Sequence, residues 1–78
     1  MNKLQKYIIK DKRGYDKELI NPHAEDKRAV NISESTSGKY YEAWYNDKPE
    51  ELIGRGRSAE RLMRRLGKEG YGNIRILD

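Results

Sequence analysis

Residues 51–78 read ELIGRGRSAERLMRRLGKEGYGNIRILD, and the rest of the chain has to be fitted around what this stretch becomes. Ser58 is a favourable helix N-cap because its hydroxyl can take a free amide of the first turn. Glu60 falls where the positive end of the helix dipole favours an acid, and Gly67 supplies a stop. At about 100° per residue, Ala59, Leu62, Met63 and Leu66 gather within one arc, while Arg61, Arg64, Arg65 and Lys68 gather opposite. The spacing therefore predicts a short helix with an apolar stripe and a basic stripe back to back. Leu52 and Ile53 predict a short strand before it, bent or finished by Gly54 and Gly56, and residues 73–77 (NIRIL) predict a final strand after Gly70 and Gly72.

Upstream, residues 29–34 alternate, with Val30 and Ile32 on one face and Asn31 and Ser33 on the other, the period of a half-buried strand. Ser35, Thr36, Ser37 and Gly38 supply turn chemistry, so residues 39–46 (KYYEAWYN) are expected to pair back as a hairpin. Residues 47–49 end it, because Pro49 cannot donate to a ladder. Residues 4–10 predict another short strand, with Tyr7, Ile8 and Ile9 supplying β-forming side chains. From Asp11 to Arg28 the chain is mostly charged and is broken by Gly14 and Asn21-Pro22; a loop or mobile segment without a site is expected there. The fold class is thus a single small α+β domain: a three- to four-stranded, mainly antiparallel sheet with one amphipathic basic helix, in ββ(β)αβ order.

A chain of 78 residues buries only about 60% of the surface it would expose unfolded. Leu, Ile, Val and Phe number 14 in all, so the core is thin, and help from a protein partner or a homodimer is compatible with it. The absence of Cys excludes disulfides and Cys zinc sites, and no run approaches the about 20 apolar residues of a membrane span. A soluble, cytoplasmic protein of bacterial or phage type is expected, without a cofactor. The formal net charge of +4 is unevenly placed. Residues 1–53 carry ten basic and ten acidic residues, whereas residues 54–78 carry seven basic against three acidic. Such a local excess of positive charge favours a polyanion.

Residues 52–78 also approximate a dinucleotide fingerprint: a short strand, Gly54-x-Gly56-x-x-Ala59, a helix, a strand, and Asp78 for a ribose hydroxyl. Against this βαβ reading, the first strand offers only Leu52 and Ile53, and Arg55 and Arg57 crowd the loop where a pyrophosphate must lie. Two other readings remain open. In one the glycines serve only a bend and close packing; in the other the turn amides with Arg55 and Arg57 hold one phosphate of a polymer.

From Gly38 to Leu66, a turn glycine, an aromatic strand, a Pro-containing loop, a glycine, a Ser cap and an amphipathic helix resemble the small HicB-type antitoxin domain. The resemblance implies a ββαβ order and a function in binding and blocking a partner protein; the helix here departs from it in being basic.

Catalytic chemistry finds little support. His23 is the only histidine and lies in a charged loop, which leaves no metal set and no Ser/His/Asp arrangement, and Asp47, Glu50 and Glu51 read as solvated turn acids. Arg outnumbers Lys five to one from Arg55 to Lys68, a choice that favours planar recognition of phosphate over mere solubility. The expected nucleic-acid-binding residues are Arg55, Arg57, Arg61, Arg64, Arg65 and Lys68, with Glu60 able to pair with Arg64 one turn on. In residues 39–46, Tyr41, Ala43 and Tyr45 share one face, and Tyr40, Glu42, Trp44 and Asn46 the other. If the second face is exposed, Tyr40 and Trp44 form a pair for stacking on bases or anchoring a partner protein; alternation alone also permits Trp44 in the core. The expected function is a non-enzymatic nucleic-acid-binding module, with a small inhibitor or antitoxin-like protein as the alternative.

Overall fold

A computed structural model describes residues 3–77. A 3₁₀ turn over Lys3–Tyr7 leads into β1 (Ile8–Lys10) and β2 (Asp16–Ile20). Then follow β3 (Val30–Glu34), β4 (Tyr41–Tyr45), β5 (Lys48–Gly56), α1 (Ala59–Lys68) and β6 (Asn73–Ile76). The strands form one mixed sheet in the order β1-β2-β6-β3-β4-β5, antiparallel throughout except where β6 runs parallel to β3. The α+β class stands, but six strands replace the expected three or four, and the ββ(β)αβ order is superseded.

The additional strand comes from the segment expected to be a loop. Of its five residues, DKELI, only Leu19 is an inward-facing aliphatic, so β2 carries no readable period; backbone pairing to β1 and β6 holds it. Ile9 lies opposite Glu18 and Lys10 opposite Asp16, which leaves Lys17 as the extra residue of a bulge. The bulge turns Asp16 to the same side of the sheet as Leu19. The predicted first strand is shortened to Ile8–Lys10, its beginning wound as the 3₁₀ turn.

The β3–β4 hairpin forms as expected, with Val30 opposite Tyr45 and Glu34 opposite Tyr41. Pro49 does not end it. β5 is the outermost strand, where a missing amide is tolerated, and Pro49, Glu50 and Glu51 fall where the register slips between Lys48 and Leu52. β5 then continues straight through Gly54 to Gly56.

The helix packs on one face only. Leu62, Met63 and Leu66 meet Leu19, Val30, Ile32, Ala43 and Ile74, all fully buried. A Cβ on Gly54 would lie 3.3 Å from Leu62 Cδ1, so the glycine lets the helix settle onto the edge strand. Ser58 caps α1 as expected, accepting from the Arg61 amide. Gly67, expected to stop the helix, is instead buried inside it against Leu19. The stop is Gly70 at φ +110°: its N–H reaches Gly67 O at 3.3 Å and the Tyr71 N–H reaches Leu66 O at 3.1 Å, closing a Schellman motif. No helix among the described residues is long and apolar enough to cross a membrane.

Candidate functional site

The GRGRSA segment does not form a phosphate-gripping turn. Positive φ is confined, among the described residues, to Gly14, Gly38 and Gly70, so Gly54 and Gly56 make no concave nest of amides. Both lie in β5 beneath Leu62, which is the close-packing role. β5 and β6 run parallel but are separated by β4 and β3, so no crevice opens between them at the helix start. Asp78, the ribose partner in the dinucleotide reading, lies outside the described residues.

Instead, the start of α1 separates charge. On its β2 flank, the Glu60 carboxylate accepts from the Asp16 amide at 2.8 Å, and Asp16 accepts from Lys10 Nζ at 2.6 Å and from Arg64 Nη2 at 2.8 Å. Burial pushes the Asp16 carboxyl up, but these two cations outweigh it and hold the group below its usual range. Glu60 therefore does not pair with Arg64, and Arg64 leaves the basic stripe for a structural ion pair. Asp16 and Lys10, unmarked in the sequence, are brought here by the bulge.

The β5 flank holds no such partner. Gly56, Arg57, Ser58, Arg61, Leu62 and Arg65 line a groove of about 340 Å³, with Arg57, Arg61 and Arg65 all exposed. Arg65 is steadied by donating to the Arg55 carbonyl at 2.8 Å, and Arg57 and Arg61 make no ion pair among the described residues. Lys68 is exposed at the far end of the same helix. By contrast, the neighbouring cleft between the helix start and the β1–β2 turn mixes Asp11, Asp16 and Glu60 with Arg13, Lys17 and Arg57, which borders both clefts, and selects neither sign.

Arg55 lies on the opposite face of the sheet from Gly54 and Gly56, paired across to Glu42. Its guanidinium sits 4.9 Å from the centre of the Tyr40 ring, a cation–π contact. Trp44 shares this uncovered face and is half-buried, while Ala43 and Tyr45 are in the core as the alternation predicts. Ile9, Ile20, Leu52 and Leu77 also alternate away from the helix and are exposed. So the structure gathers Arg57, Arg61 and Arg65 on one side of β5, and Tyr40, Trp44 and Arg55 on the other.

At the far end of the hairpin, Arg28 and the Tyr45 hydroxyl both donate to Asp26, at 3.0 and 2.6 Å. Arg28 and then Tyr45 hold the Asp26 carboxyl down at about 2, and the same carboxylate pushes the Tyr45 hydroxyl up. This cluster fixes the 21–29 segment to β4. His23 is exposed with its ring against Tyr7, and no group of three metal-ligating side chains converges among the described residues.

Sequence reading missed three asparagines, Asn31, Asn46 and Asn73, which line a depression on the uncovered face together with Arg75. Their presence in strand-like segments, where asparagine is disfavoured, was the available signal. Comparison of the chain with protein-family models, with curated proteins and with solved structures finds no match.

Proposed function

We propose that the protein is a non-enzymatic module that binds nucleic acid at the β5 edge, phosphates in the arginine groove and bases toward Tyr40 and Trp44. One observation carries the reading: three guanidiniums converge on a groove while the nearby carboxylates, Asp16 and Glu60, are turned to the other flank. Guanidinium forks suit phosphate, and aromatic faces suit unstacked bases, so a single strand satisfies both surfaces.

If Arg57, Arg61, Arg65 and Lys68 neutralise about four phosphates of a single strand, log affinity should fall with log salt at a slope of about −3. The double reversal Arg61→Glu and Arg65→Glu should abolish binding while leaving the circular dichroism spectrum unchanged. Affinity that ignores salt, or no binding to DNA or RNA at low salt, removes the reading. The resemblance to HicB-type antitoxins would then direct the search to a partner protein blocked through the same arginines and Trp44.

A further inference from the structure

We infer that the uncovered face of the sheet holds a base-reading subsite, in which a nucleobase, adenine above the others, stacks on Trp44 and is hydrogen-bonded by Asn31 and Asn46. This deepens the nucleic-acid reading and rests on it. Asn31 lies directly opposite Trp44 in the β3–β4 ladder, and Asn46 follows Trp44 by two residues on the same face. Directly opposed side chains have Cβ atoms about 5 Å apart. The edge of a ring laid on the indole is thus within one strand spacing of Asn31 and two residues of Asn46, although Trp44 itself stands outside the depression that the two carboxamides line.

The carboxamides are also prepared for that edge. Asn31 Nδ2 donates to Asn46 Oδ1 at 2.9 Å, which fixes the two groups relative to each other. The bond leaves Asn31 Oδ1 to accept and Asn46 Nδ2 to donate, and both residues line a depression of about 110 Å³. An acceptor and a donor at one depression complement the amino group and ring nitrogen of adenine, the two atoms that a carboxamide reads on that base. Arg75, next to Asn31 in the β3–β6 ladder, has among the described residues a single long ion pair, 3.7 Å to Glu18, and remains 62% exposed, so it can take the adjoining phosphate. From Asn31 to β5 is two strand spacings, about 10 Å. One strand of nucleic acid can thus cross from this subsite past Tyr40 and Arg55 to the arginine groove.

A solvent face needs none of this. Asn31 in β3 and Asn73 in β6 stand on neighbouring strands where threonine or valine would strengthen the sheet, and a base-reading role explains them together with Asn46 in the turn after β4.

The test uses the full chain and fluorescein-labelled 12-nucleotide homopolymers of adenine, uracil and cytosine, with anisotropy measured at two salt concentrations and Trp44 emission followed in parallel. The adenine oligomer should bind about tenfold more tightly than the uracil oligomer and quench Trp44. Asn31→Ala with Asn46→Ala should erase that preference and keep the salt slope. The isosteric Asn46→Asp, which still accepts from Asn31 but has no amide to donate, should erase the preference as well, guarding against a folding defect. Equal salt-dependent binding of all three oligomers, a preference that survives the double variant, or unchanged Trp44 emission overturns the subsite alone. No binding of any oligomer at low salt overturns the nucleic-acid reading and the subsite with it.

Discussion

Arg61 and Arg64 lie on the same exposed arc of the helical wheel, yet they have separate fates. Arg64 is held at 2.8 Å by an Asp16 carboxylate whose side chain is 2% exposed, whereas Arg61 opens onto the groove. Arg64→Ala should cost about 1.5–3 kcal/mol of stability, the usual worth of a hydrogen bond to a charged group, and leave oligonucleotide affinity nearly unchanged. Arg61→Ala should change stability by no more than about 0.5 kcal/mol and weaken binding. Urea unfolding and anisotropy, measured on both variants, check the pair of outcomes. The wheel could not separate them, because the separation depends on Asp16, and Asp16 faces the helix only through the bulge at Lys17. The Ser58 cap and the inward placement of Ala43 and Tyr45, which need only local spacing, were legible.

At the scale of elements, legibility followed periodicity. β3 and β4 alternate over five residues each and were found in sequence; β2 has one inward aliphatic and was not. The 21–29 segment was hidden for a related reason, since backbone contacts hold it rather than apolar spacing. The Asn21 amide donates to Gly72 O at 2.8 Å, and a Cβ on Gly72 would lie 2.6 Å from Asn21 O and 2.3 Å from Ala24 Cβ. Gly72→Ala should therefore lower stability by about 1–3 kcal/mol, the range for inserting a methyl into a filled site. Gly56→Ala, whose Cβ would meet Leu62 Cβ at an ordinary 3.6 Å, should be near neutral. Thermal unfolding of the two variants side by side measures the contrast.

For the whole molecule, two carboxylates tie distant parts of the sheet: Asp16 joins β1, β2 and α1, and Asp26 joins the 21–29 segment to β4. Both have folded pKa values below the ordinary 3.8, Asp26 at about 2. The stability they supply is present above about pH 4 and is lost as pH falls through the folded values. The urea midpoint should hold above pH 5 and drop between about pH 4 and 2, with Asp26→Asn flattening part of that fall. The net charge and its concentration after residue 53 were legible from counting; that Arg64 would join the acids on one flank of α1 while Arg61 and Arg65 face the other was not, because it is a property of the assembled sheet.

β6 stands sixth in chain order and third across the sheet, where it pairs with two strands that precede it by roughly half the chain or more: Arg75 meets Glu18 on one side and Asn31 on the other. The β1–β2 and β3–β4–β5 hairpins can each zip within about 1–10 μs, as local hairpins do. Neither can find the other until β6 arrives between them. Refolding should therefore run on the millisecond-to-second clock of non-local pairing, with each ribbon forming and dissolving many times before a common neighbour fixes both.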